Sequence, residues 1–229
     1  MLTPSSQIPD NINFDQAASV PLGLAAAVCS TWTHHPEAST ISLPAPWEEG
    51  GATAGTGKAA FIVGGASSVA QYAIQAARMN GFSFIVTTAS LKHESYLKSL
   101  GATHVIDRHR TPEEVLAELR AIVGEALVTF SYDSQADRVS QHLAYDALNR
   151  GGGMVSVDRR LTHLKGKTIE EDGKMVAGPY ASFQLPGNRD LGLEVYKRLT
   201  GWVKDGTLVV STIRMDRHPR SRSLTVLYS

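Results

Sequence analysis

Two neighbouring segments carry residue types suited to holding a phosphorylated cofactor. In the first, AAFIVGGASSVAQYAIQAARMNG (residues 59–81), a short apolar run leads into Gly64 and Gly65 and then directly into a helical pattern. A glycine turn lets the backbone approach a pyrophosphate, and the N–H groups that open a helix attract the anion. The helix start is formed by Ser67, Ser68 and Val69. The segment therefore predicts a dinucleotide site.

The glycine pattern of this segment departs from the full G-x-G-x-x-G fingerprint. Ala70 stands where the last glycine is usual, and alanine is small enough for close packing of the helix on the strand. Many strand–turn–helix units carry such glycines for packing alone. The local pattern leaves that purely structural interpretation open.

The second segment follows the next predicted strand and reads TTASLKH, residues 87–93. In sheets that bind NAD, an acidic residue at this strand end receives the ribose diol. Here the strand is followed by Ser90, Lys92 and His93 instead. A hydroxyl and cationic groups favour a 2′-phosphate, and so NADP(H) over NAD(H). The alternative is a solvated helix start that Ser90 caps.

From residue 59 onward, apolar strand-like runs alternate with helical patterns and short turns. Strands are predicted at 59–63, 84–88, 103–106, 126–132, 154–157 and 174–177, and helices at 13–33, 67–80, 91–100, 112–123, 135–149 and 190–204. We expect Asp15 to cap the first helix. Such alternation indicates an α/β fold, a Rossmann-type doubly wound parallel sheet with helices on both faces.

Composition excludes several classes of function. The 229 residues hold 22 basic and 22 acidic side chains, so no excess charge calls for nucleic acid or a membrane surface. Cys29 is the only cysteine, which rules out an internal disulfide and a cysteine-built zinc site within the chain; we expect it to be buried and inert. The histidine-containing THHPEAST (33–40) and the glycine-rich GATAGTGKA (51–59) are interpreted as loops. We expect a cytoplasmic protein with no bound metal.

Longer stretches carry a resemblance to a known family. They are NFDQAASVPLGLAAAV, IVGGASSVAQYAIQAAR, TTASLKHESYLKSLGATHVIDR, FSYDSQAD, ALNRGGGMVSV and NRDLGLEVYKRLTGWVKDGTL. Together they cover most of residues 11–210. In them the chain resembles the medium-chain dehydrogenase/reductase superfamily, in the branch of zinc-independent quinone oxidoreductases and fungal trans-acting enoyl reductases.

The resemblance implies roles for particular residues. Ser67, Ser68 and Val69 would face the pyrophosphate and the adenosine phosphate, while Ser90, Lys92 and His93 would hold the 2′-phosphate. Arg108 stands where relatives often place a tyrosine that contacts the same phosphate. Asp133 and Ser134 would lie near the path of the cofactor toward its nicotinamide.

The resemblance also has gaps. Residues 1–58 are interpreted as a linker and a short helical remnant of the family's GroES-like catalytic domain, residues 59–185 as the NADP-binding domain, and 186–229 as a C-terminal helix with an irregular basic tail. Relatives often carry a threonine where this chain has Ala25, Ala26 and Ala27.

Two hypotheses remain open. The first is an NADP(H)-dependent oxidoreductase that passes hydride to a small-molecule substrate, an enone, a quinone or a carbonyl compound. The second is a catalytically inactive dinucleotide-binding or protein-interaction module. In either case we expect a homodimer, joined through the sheet edge near residues 174–185.

Overall fold

The computed structural model describes residues 5–35, 39–157, 164, 173–178 and 181–211. Its strands are β1 (Ala59–Val63), β2 (Phe84–Ala89), β3 (His104–Asp107), β4 (Val128–Asp133), β5 (Gly153–Ser156) and β6 (Met175–Ala177). Its α-helices are α1 (Phe14–Ala18), α2 (Val20–Trp32), α3 (Ser68–Met79), α4 (Glu94–Leu100), α5 (Pro112–Val123), α6 (Arg138–Ala147) and α7 (Arg189–Asp205).

The six strands form one parallel sheet in the order β3-β2-β1-β4-β5-β6. The chain builds outward from β1 to β3 and then returns to the other side of β1 with β4. Such a reversal leaves a crevice outside the carboxyl ends of the strands, here between β1 and β4. Val63 pairs with Thr88 and with Asp133, so these strand ends meet at one edge.

Two hydrophobic cores lie on the two faces of the sheet, because successive strand residues point to opposite sides. Ala60 and Ile62 join the core formed with α2, α3, α4 and α7. Phe61 and Val63 join the other core, formed with α5 and α6. Every residue of β1 is buried, which explains why its sequence is continuously apolar. The predicted α/β doubly wound fold is confirmed.

The N-terminal helix differs from its prediction. Residues 13–33 form two helices rather than one, because Pro21 has no N–H to donate to the carbonyl four residues back and the first helix stops at Ala18. The predicted cap, Asp15, is wrong. Asn13 caps α1, since its side chain accepts from the Gln16 N–H and the Gln16 side chain accepts from the Asn13 N–H, each at 2.9 Å.

Two further boundaries shift at the edge of the sheet that holds the candidate site. The helix predicted at 91–100 is a 3₁₀ turn over Leu91–His93 followed by α4. The helix predicted from residue 135 begins only at Arg138, because β4 extends to Asp133 and the next residues form a loop.

The segment before β1 is fixed to the sheet by a buried asparagine at the end of α3. The Asn80 side chain accepts from the indole N–H of Trp32 at 2.7 Å and donates to the carbonyls of Pro44 and Gly51, both at 2.8 Å. These hydrogen bonds hold the irregular segment between α2 and β1 at Pro44 and Gly51. In the described part of the chain, no helix is long and apolar enough to cross a membrane.

Candidate functional site

The glycine turn after β1 is packed tightly against its neighbours. Gly64 has a φ of +80°, in the region that favours glycine, and a Cβ there would lie 2.7 Å from the Ser134 hydroxyl. A Cβ on Gly65 would lie only 2.2 Å from Oγ1 of Thr87. Both glycines are therefore required by packing against protein atoms, as the structural interpretation of the pattern predicts.

The start of α3 is the part of the turn that can receive an anion. Ser67 is the N-cap, and its hydroxyl accepts from the Ala70 N–H at 3.2 Å and donates to the Ser134 hydroxyl at 2.9 Å. The N–H groups of Ser68 and Val69 belong to the first turn of α3, where the helix provides no carbonyl to accept their hydrogen bonds. The Ser68 hydroxyl lies against Gly23 of α2. Ser68 and Val69 thus offer backbone N–H groups at the positive end of the helix dipole.

The residues predicted to hold a 2′-phosphate follow β2 at the same edge. Lys92 is exposed, and Ser90 and His93 are half-buried. Ser90 occupies the N-cap position of the 3₁₀ turn, as the alternative of a solvated helix start predicts, but its side chain makes no capping hydrogen bond. The loop is held in shape by the His93 N–H, which donates to the Ser90 carbonyl at 2.9 Å.

Arg108 lies beside the loop that carries Lys92, because it directly follows β3, the strand that pairs with β2. Its backbone N–H donates to the carbonyl of Ala89, the last residue of β2, at 3.0 Å. Its side chain is exposed. The structure therefore places an exposed guanidinium-bearing residue beside the loop that carries Lys92, and both strand ends lie on the predicted edge of the sheet.

Asp133, in contrast, is completely buried. Its carboxylate accepts from the backbone N–H groups of Gln135 at 3.0 Å and Ala136 at 3.2 Å, and from the Ser156 hydroxyl at 2.8 Å. Burial raises the pKa of this carboxyl above its ordinary value, and the Ser156 and backbone hydrogen bonds oppose that shift. The side chain lies beneath the loop rather than at the surface of the crevice.

Of the two residues that border the crevice after Asp133, Ser134 was expected there from the family resemblance and Gln135 was not. Ser134 donates to the carbonyl of Val63 at 2.8 Å. A Cβ on Gly64 would also meet the Gln135 side chain at 2.9 Å, so the loop after β4 touches the glycine turn. A polar pair directly after a strand at the reversal point is a pattern that could have identified them.

The histidine-containing segment, Cys29 and the Ala25–Ala27 stretch have the following surroundings. His34 bonds Glu48 at 2.9 Å, and Glu37 lies outside the described residues. Among the residues that the structure covers, no group of three or more His, Cys, Asp or Glu side chains is arranged to hold a metal. Cys29 is buried, and burial raises its pKa to about 12. The carbonyl of Ala26 accepts from the Tyr132 hydroxyl at 2.7 Å, which ties α2 to β4.

Comparison with known proteins gives matches over most of the chain. Residues 68–167 match the family described as zinc-binding dehydrogenase. The trans-enoyl reductase grgB of a Penicillium species is 25% identical over 217 residues, covering 89% of this chain and 58% of that protein. A zinc-type alcohol dehydrogenase-like protein of Schizosaccharomyces pombe is 24% identical over 221 residues, covering 90% and 60%.

A solved structure shares the fold. Mycobacterial Rv1454c, solved in complex with NADPH, matches with a TM-score of 0.63 and 18% identity over 89% of this chain and 58% of that one. The two curated relatives, in contrast, show how much of a full-length protein is present here: this chain spans about 60% of their length.

The fold class is now defined. A six-stranded parallel sheet in the order 3-2-1-4-5-6, with a glycine turn and a helix start at its reversal point, is a Rossmann-type domain. Its sequence relatives narrow that class. They are described as dehydrogenases and reductases, and their likeness to this chain fits the medium-chain dehydrogenase/reductase superfamily.

Proposed function

We propose that this chain binds NADP(H) at the carboxyl edge of the sheet and serves an oxidoreductase that transfers hydride to a small-molecule enone, quinone or carbonyl compound. The observation that carries the proposal is the start of α3. Its unsatisfied N–H groups lie at the reversal point between β1 and β4, where ligands bind in folds of this type. In domain terms, residues 59–185 form the cofactor-binding unit, flanked by 1–58 and 186–229.

The preference for NADP(H) over NAD(H) rests on charge. Lys92 and Arg108 are both exposed at the ends of adjacent strands, and Ser90 lies at the start of the same loop. A 2′-phosphate there would accept charge-assisted hydrogen bonds, which are stronger than neutral ones. The first residue after β2 is Ser90 rather than an acid, so the ribose diol of NAD would lack its usual acceptor at this position.

The residues of this chain would bind and orient the cofactor. The reduced nicotinamide supplies the hydride when it is bound. The helix start would fix the pyrophosphate, and the loop after β4 would border the route toward the nicotinamide. Positioning of two reactants accounts for a large part of the rate gain in such reactions. The named relatives include a trans-enoyl reductase, which favours an activated C=C bond among the candidate substrates.

Titration with NADPH and, separately, NADH tests the proposal through the fluorescence of the reduced nicotinamide. We expect micromolar binding of NADPH and much weaker binding of NADH. Lys92→Ala should weaken NADPH binding about tenfold, or ~1.4 kcal/mol, and leave NADH unaffected, because one charge-assisted contact is lost.

Lys58→Ala is the matched control. Lys58 precedes β1 at the opposite edge of the sheet and donates to the Ala54 carbonyl, so its loss should not change the affinity. Equal affinities for both nucleotides would contradict the assignment of the 2′-phosphate site. Binding of neither would favour a protein-interaction module.

We also propose a homodimer formed through β6. Among the described residues, β6 is the outermost strand on its side of the sheet, and Met175 is 49% exposed. An exposed edge strand offers unpaired backbone groups to a second copy. Light scattering at micromolar concentration should give twice the chain mass, and a monomer would contradict the proposal.

A further inference from the structure

We infer that Asp133 is a positioning residue of the candidate site, which acts by fixing the loop of residues 134–136 rather than by touching the cofactor. The inference rests on the proposed function, because it assigns that loop to the wall of the NADP(H) site. It changes the role expected of Asp133 from the family resemblance, which was a contact along the cofactor's path.

The Asp133 carboxylate accepts from three donors in the surrounding protein: the N–H groups of Gln135 and Ala136 and the hydroxyl of Ser156. Ser156 ends β5 and in turn accepts from the buried side-chain amide of Gln141 at 3.2 Å. The carboxylate therefore connects the end of β5 and helix α6 to the loop after β4.

This network holds the loop in an unusual backbone conformation. Ala136 has a φ of +63°, in the left-handed region that disfavours residues with a Cβ. Its N–H lies 3.2 Å from both carboxylate oxygens of Asp133. Strained conformations of this kind persist only where the surroundings determine them, and they cluster at functional sites. Asp133, through its hydrogen bonds to this loop, fixes the left-handed conformation of Ala136.

Ser134 links the loop to the anion site. Ser134 accepts a hydrogen bond from the N-cap hydroxyl of Ser67 and donates to the carbonyls of Val63 and Gly64. Asp133 thus holds residues 135 and 136, and Ser134 before them holds the cap of α3 and the glycine turn. If the loop relaxed, the helix start would lose its hydroxyl partner, and the wall beside Gly64 would move.

Asp133→Asn tests the inference because it preserves the size of the side chain but replaces one acceptor oxygen with an NH₂ donor. We expect NADPH affinity to fall at least fivefold. The amides of Gln135 and Ala136 should exchange faster with deuterated solvent. Ser156→Ala removes one donor from the carboxylate and should produce a smaller change in the same direction, which keeps the test available if Asp133→Asn does not fold.

Rescue distinguishes positioning from contact. Glycine adopts a positive φ without cost, so Ala136→Gly added to Asp133→Asn should recover part of the lost NADPH affinity. A direct contact between Asp133 and the cofactor could not be rescued in this way. The matched control is Asp205→Asn, because Asp205 also accepts from the backbone two residues on, at Thr207, but does so at the end of α7. It should leave NADPH affinity within twofold of the wild type.

The outcomes separate this inference from the proposed function. Unchanged affinity in Asp133→Asn, or no recovery on adding Ala136→Gly, would overturn the inference while leaving NADP(H) binding intact. Absence of NADPH binding by the wild type would refute the proposed function. In that event, hydrogen exchange still decides whether Asp133 fixes the loop, since unchanged protection of Gln135 and Ala136 in Asp133→Asn would overturn that.

Discussion

Replacing Gly65 with alanine measures how tightly the glycine turn is fitted to the sheet. The added Cβ would lie 2.2 Å from Oγ1 of Thr87 and 3.0 Å from its Cγ2, whereas ordinary contacts begin at 3.4 Å. Thr87 cannot yield easily. It is completely buried, and its hydroxyl donates to the carbonyl of Ile62 at 2.7 Å. Either the turn moves away from β2 or this hydrogen bond is broken.

The expected loss of stability combines two terms. Overpacking in a close-packed core costs about 1–3 kcal/mol. Breaking the buried hydrogen bond adds about 1 kcal/mol. We therefore expect Gly65→Ala to lower the free energy of unfolding by roughly 3 kcal/mol, which corresponds to a fall in Tm of about 6–12 °C for a chain of this size.

Chemical denaturation and thermal melting of the wild type and three variants provide the assay. Gly201→Ala is the matched control, because the added Cβ would meet no heavy atom within 4 Å apart from the adjoining backbone of its own helix. The helical position of Gly201 in α7 should make alanine stabilising by about 1 kcal/mol. Gly65→Ala combined with Thr87→Ala should recover part of the loss, since Oγ1 and Cγ2 are removed. If Gly65→Ala alone melts with the wild type, the packing argument for the turn is refuted.

Two further predictions follow from buried titratable groups. Because burial raises the pKa of Cys29 to about 12, a thiol reagent at neutral pH should label it only after denaturation, and rapid labelling of the folded protein would contradict this. Burial also raises the pKa of Asp133 above its ordinary value of 3.8, so the folded state binds the proton more tightly than the unfolded state does. The stability of the wild type relative to Asp133→Asn should therefore fall as pH rises from that value through the raised pKa, and then level off. A difference in unfolding free energy that stays constant over this range would show that the carboxyl is not perturbed.

The sequence predicts the parts of the fold that depend on local patterns. The limits of β1 match the structure, because the strand is a continuous apolar run ended by glycine, and α5 begins at Pro112 as its position requires. The break between α1 and α2 depends on the missing N–H of Pro21, a local cause that the helical pattern around it obscures.

The same distinction holds at the site. The positions of Ser67 at the start of α3 and Lys92 after β2 can be predicted from sequence. Each residue lies within a strand–turn–helix unit, and a parallel sheet brings such strand ends to one edge. The burial of Asp133 cannot be predicted from the local sequence. It depends on Ser156, which reaches the carboxylate only through the pairing of β4 with β5. The location of a polar residue at a strand end can therefore be predicted from sequence. Whether that residue binds a ligand or holds a loop can be assigned only from its contacts in the packed structure.

The most direct test of the proposed cofactor site is a crystal structure of this protein grown with NADPH. The proposal predicts the pyrophosphate within hydrogen-bonding distance of the Ser68 and Val69 N–H groups, and the 2′-phosphate beside Lys92. A nucleotide bound elsewhere, for instance in the apolar pocket that Phe14 and Tyr196 line between the N-terminal segment and α7, would contradict it.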